Sequence, residues 1–278
     1  MSSVTVPRSA PLAPSSADRV RQVVVVVGAL LAMAGAAVGS GAFGGQQVED
    51  AAGGALSADA TPLAPDSPAF RIWSVIYLGL LAHAVYQALP GNGAQPRLRA
   101  TGWWVLASMV LNAAWIGVVQ QGWVVASVVV IATLLAVLAL LLVRLVRTPP
   151  ESVAQAVVTD GTIGLYLGWV SVATLANVAA TLVVLDVGGL GLGATAWSVV
   201  VLTLAAALAV AYAVYARTRP LLAVAIGLAM AWGLAWIAVG RTSGAPQDAV
   251  VAGAAAVASA VALAAPVVTT LAARRSAR

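Results

Sequence analysis

The residues of this chain best suited to holding a ligand are aromatic rings and carboxamides set at helical spacing. Tyr166, Trp169, Ala173 and Asn177 are separated by 3, 4 and 4 positions, which places all four on one stripe of an α-helix. Asn112 and Trp115 are neighbours at i,i+3, and Trp73 and Tyr77 at i,i+4, so two further helices each present an aromatic and polar face. Gln87 falls only ~40° from Trp73 at about 100° per residue. Each indole or phenol supplies broad apolar contact and one polar atom, and each amide supplies a donor and an acceptor. Mostly apolar walls with sparse polar groups suit a flat hydrophobic ligand. The bland alternative is that Asn112 and Asn177 bond each other or a backbone carbonyl and simply join helices, for about 0.6–2 kcal/mol.

Other chemistry has little to work with. Cysteine is absent and His83 is the single histidine, which removes disulfides, thiolate ligands and cysteine nucleophiles. Every carboxylate is read in a tail, a loop or at a helix end, so no metal site is expected. No nucleophile lies beside a general base, and no catalytic residue of conventional hydrolytic type is assigned. His83 points away from the Trp73 stripe and is read as a hydrogen-bonded packing residue rather than a haem ligand. No cofactor is required.

The elements that must position these side chains are membrane helices. Of 278 residues, 62% are hydrophobic and 8% charged, against about a quarter charged in soluble domains. Eight apolar runs, about 23–43, 71–89, 102–120, 123–143, 162–185, 194–216, 220–240 and 249–271, are each long enough for a hydrocarbon core of ~30 Å. The fold class is therefore all-α, a polytopic membrane helical bundle embedded in the lipid bilayer. The third and fourth runs are separated by Gln120, Gln121 and Gly122, a tight hairpin. In the first run, Gly35 and Gly39 form a small-xxx-small packing face. That run also fits a secretory signal, but its length favours a retained span.

Arginine placement gives the orientation. With the N-terminus inside, Arg71 and Arg241 alone of the 14 basic residues fall outside, which predicts a plasma (inner) membrane protein with both termini cytoplasmic. The basic residues lie singly or in pairs between apolar runs rather than as a stripe, so no nucleic acid partner is expected. Residues 1–22 read as a disordered cytoplasmic tail. The loop from Gly44 to Ala69 reads as an outward lid. Residues 186–193 form a Gly-rich linker between a five-helix unit, 23–185, and a three-helix extension, 194–278. Trp103, Trp104, Trp123 and Trp197 lie near span ends, where indoles suit the headgroup region. In the extension, Trp232, Trp236 and the small-residue last span suit core packing or a homodimer contact. Counted at ~1.5 Å per residue from the inner ends, Tyr77, Trp115 and Asn177 all stand ~18–21 Å up, so the three stripes can meet in the outer half under the lid.

At these residues the chain resembles the translocator protein or tryptophan-rich sensory protein (TspO/MBR) family. LYLGWVSVATLAN, Leu165 to Asn177, is similar to that family's P-Y-x-x-W-x-x-x-A-x-x-L-N at Tyr166, Trp169, Ala173 and Asn177. Phe70, Trp73 and Tyr77 resemble F-x-x-x-W-x-x-x-Y with one residue fewer after the phenylalanine, and Asn112 and Trp115 match N-x-x-W. The resemblance covers roughly 23–185 and implies a five-helix bundle with a porphyrin-binding pocket under the first loop. It implies a receptor or sensor, with a multi-pass small-molecule transporter or exporter as the alternative. A further alternative is a porphyrin-degrading protein in which Trp73 and Trp169 match the tryptophans associated with light-dependent breakdown. Leu165 replaces the family's proline, and TPLAPDSPAF replaces its tryptophan-containing loop. Asn177 is followed by VAATLVV, without the residues of a sterol-recognition motif, so sterol binding is not expected.

Overall fold

The computed structural model describes residues 13–39, 47–189 and 191–276. Among them are eight helices long and apolar enough to cross a membrane: α1 (Ser16–Gly39), α2 (Ile72–Ala88), α3 (Pro96–Gln120), α4 (Val124–Arg147), α5 (Thr162–Val184), α6 (Ala194–Tyr215), α7 (Pro220–Ser243) and α8 (Ala249–Ser276). A 3-10 turn, Ser67–Arg71, leads into α2, and a π-helical turn, Ala156–Gly161, leads into α5.

The first five helices close a ring. α1 touches α2 and α3, α3 touches α4, α4 touches α5, and α5 returns to α2. α1 turns Val25, Ala29, Ala32 and Ala36 inward at spacings of 4, 3 and 4, while Val23, Val27 and Leu31 remain exposed to the bilayer hydrocarbon. Both faces are apolar because lipid is as apolar as the core. Between α3 and α4 the chain turns at Gly122 with φ +75°, a conformation open to glycine. There Trp123 N–H reaches Val118 O at 3.1 Å and Gly122 N–H reaches Val119 O at 2.9 Å, so the predicted hairpin ends α3 with paired carbonyls.

Two expectations change at the arginine-rich face. The chain read as tail up to residue 22 is already helical from Ser16, and residues 1–12 lie outside the described ones. Asp18 is buried and accepts bonds from Arg21 Nη1 at 2.9 Å and Arg99 Nε at 2.8 Å, while Arg21 Nη2 donates to Gly93 O at 2.7 Å. A carboxylate met by two guanidinium groups joins the start of α1 to the start of α3, so both helices extend past the apolar runs. Second, Asp160, read as a helix-end residue, lies within a continuous span, Val153–Val184. It is 2% exposed and paired with Arg97, itself 2% exposed. The counter-ion comes from another helix, which a hydropathy run does not show.

The small-residue packing face also moves. Among the described residues, a Cβ built on Gly35 would meet nothing within 4 Å, and the position is exposed. One close crossing is α5 on α7. There a Cβ on Gly164 would stand 2.7 Å from Ala225 Cβ, and one on Gly168 2.3 Å from Ile226 O. Gly164 and Gly168 are i,i+4, a small-xxx-small pair that lets two backbones touch. α8 lies against α7 and α6 and uses Val251, Ala255, Ala258 and Ala262 for that contact. The order along the chain is five helices then three, but α7 packs along the ring.

Candidate functional site

The aromatic stripes meet inside the ring at the end covered by the loop. Trp73 stacks on Tyr77 with ring centroids 5.2 Å apart and planes at 19°. Edge-on contacts join Trp73 to Tyr166 at 5.8 Å, Trp73 to Trp169 at 6.3 Å, and Phe70 to Trp169 at 5.7 Å. Such offset and edge contacts fix ring orientation as well as filling space. The amides do not bond each other. Asn112 Nδ2 donates to Tyr77 Oη at 2.8 Å, and Trp115 Nε1 donates to Asn177 Oδ1 at 2.8 Å. Asn177 Nδ2 in turn donates to Ser127 Oγ at 2.9 Å, so one amide ties α5 to α3 and α4. Replacing Asn177 with alanine leaves the buried Trp115 N–H unpaired. We expect a loss of about 1–2 kcal/mol in unfolding of the protein in mixed micelles.

A cleft of about 600 Å³ opens among α1, α2 and α3, walled by Met33, Phe70, Trp73, Tyr77 and Trp115 with Glu49 at its rim. Smaller hollows continue inward past Phe70, Trp115, Trp169 and Ala173, one reaching Asn177 and the loop residues Thr61 and Pro65, the other Asn112. Among the described residues, three polar atoms lining these hollows are buried without a partner: Trp169 Nε1, a donor, Asn112 Oδ1, an acceptor, and the loop hydroxyl Thr61 Oγ1.

Of the residues expected at a site, Trp73, Tyr77, Asn112, Trp115, Trp169, Ala173 and Asn177 line these hollows. Tyr166 stands behind the wall, fully enclosed, with Oη donating to Ser108 O at 3.1 Å. Gln87 is at the opposite end of α2, donating to Gln22 O at 3.0 Å: a shared face does not mean a shared height, and fourteen residues of helix separate it from Trp73 by about 21 Å. Phe70, which lines every one of these hollows, was legible only as a motif position, and Met33 carried no signal. His83 packs as expected, its Nδ1 3.1 Å from Thr159 Oγ1.

The loop over the site is held by short local bonds. Asp66 Oδ1 accepts from Ser67 N at 2.8 Å, and Ser67 Oγ donates to Glu49 Oε2 at 2.5 Å. The Ser57 hydroxyl, then the backbone amide of Asp59, hold the Asp59 carboxyl below its usual range, with the Arg241 charge adding to both. Within the loop, Ala51, Thr61, Leu63 and Ala64 are themselves buried.

A five-helix ring with an aromatic cleft under its first long loop defines a polytopic helical membrane protein. The family model described as TSPO-like protein matches residues 22–268, and the chain belongs to that family. The match runs through α6 and α7 into α8, beyond the stretch that carried the motifs. No curated protein and no solved structure matches the chain.

Proposed function

We propose that this protein is a membrane receptor or sensor that takes a flat hydrophobic ligand, a porphyrin being the leading candidate, in the cleft under the loop. The observation that carries the reading is the single wall formed by Phe70, Trp73, Tyr77, Trp115 and Trp169 beside a cleft of about 600 Å³. That volume is within the range of small-molecule pockets, about 300–1,000 Å³. The rings offer faces to a planar ligand, and Trp169 Nε1 and Asn112 Oδ1 offer one unused donor and one unused acceptor. Lipid contact on the outer surface gives a hydrophobic ligand a phase to arrive from. The arginine bias supports a cleft on the outward side of a plasma membrane.

Titration of the purified protein with protoporphyrin is expected to give saturable tryptophan quenching. Trp73→Ala should weaken the affinity about tenfold or more, as for a central aromatic anchor, and Asn112→Ala about fivefold through loss of a polar contact. Unsaturable quenching that neither substitution alters would overturn the reading. Loss of porphyrin absorbance under illumination, abolished by Trp73→Phe and Trp169→Phe, would instead assign degradation.

A further inference from the structure

We propose that α7 is the positioning element of the roof: Arg241, with Trp232 and Trp236, holds residues 58–69 over the cleft and so controls access to it. This deepens the ligand-binding reading but is tested without any ligand. Arg241 is 1% exposed; its Nη1 donates to Thr61 O at 3.0 Å and its Nη2 to Ala58 O at 2.6 Å. A planar guanidinium reaches two carbonyls of an irregular segment at once, which a lysine does not.

One turn along, Asp66 N–H donates to Trp236 O at 3.2 Å, and a further turn along, Trp232 Nε1 donates to Ala69 O at 2.8 Å. Positions 232, 236 and 240 form a single line on α7. At Gly240 the loop comes close, a Cβ there standing 3.6 Å from Asp66 Cβ. The segment gripped in this way contains Thr61, Ala64 and Pro65, which line the hollow beneath it. α7 also backs the wall, since a Cβ on Gly233 would stand 3.0 Å from Val172 and 3.5 Å from the Trp169 ring.

An arginine in an apolar helix is costly and calls for a reason. Here Asp66, Asp59 and Asp248 lie near enough to act on its charge, and its hydrogen bonds go to loop carbonyls. Arg241 is also one of the two arginines that break the topological bias. Its position follows from the roof, not from the rule that sorts the others.

The test is hydrogen exchange of the roof amides in nanodiscs, paired with alkylation of Ala173→Cys by a water-soluble maleimide, a readout made clean by the cysteine-free chain. Arg241→Leu should speed both exchange across 58–66 and alkylation about tenfold, the loss of a charge-assisted bond. Arg241→Lys should fall between the two, and Trp232→Phe should loosen the roof near Ala69. Where Arg241→Leu does not fold, as judged by lost protection of α5, Trp232→Phe decides. Roof exchange and alkylation at wild-type rates in folded variants overturn the proposal. A failure to bind porphyrin leaves this result standing and bears on the ligand alone.

Discussion

Arg97→Leu lowers the unfolding free energy by about 3–5 kcal/mol, whereas Arg97→Leu combined with Asp160→Leu recovers most of that loss. The physical basis is the asymmetry between breaking and replacing a buried ion pair. Both residues are 2% exposed, and the contact between them joins α3 to the π-helical turn before α5. Removing only the arginine leaves a buried carboxyl without the partner that bonds it. Removing both leaves an apolar contact that needs no counter-ion. Unfolding of the detergent-solubilised protein by a denaturing surfactant measures both variants. A single-variant loss below about 1 kcal/mol would mean that water already solvates the pair.

Gly168→Val is expected to cost about 3 kcal/mol, the upper end for overpacking a filled interface. The obstacle is backbone, Ile226 O at 2.3 Å from the added carbon, with Ala229 Cβ at 2.9 Å, so no rotamer change relieves it. Either α7 moves away from α5 or the variant fails to assemble. Since α7 backs Trp169 and grips the roof, a surviving variant should also show faster exchange across 58–69. Gly35→Val supplies the control. A Cβ there meets nothing within 4 Å among the described residues, and the same thermal and surfactant unfolding measurements should show no loss. Equal stability of the two variants would remove the α5–α7 crossing as a determinant of the fold.

Much of the site was legible in the amino-acid order. Tyr166, Trp169, Ala173 and Asn177 shared a stripe because 3.6 residues make a turn, and a constant rise per residue placed Tyr77, Trp115 and Asn177 near one height. What these residues do to one another was not legible. Asn177 accepts from Trp115 and donates to Ser127, while Asn112 turns to Tyr77. Partners on separate helices follow from rotation and neighbour order in the ring, and neither is encoded in spacing.

The sequence by itself determined the eight spans, the hairpin at Gly122 and the aromatic character of the half nearest the first long loop. These rest on local physics: the length needed to cross hydrocarbon, glycine's access to positive φ, and helical periodicity. Only the tertiary structure decided which apolar faces meet protein. In lipid a buried face and an exposed one can be equally apolar, so Gly35 and Gly168 look alike along the chain. It likewise decided that Asp160 and Arg241 can lie inside the helical body, because their partners arrive from α3 and from the loop. The three final helices, silent as sequence, acquire a place for the same reason: α7 touches the wall and the roof of the cleft only once the chain has folded.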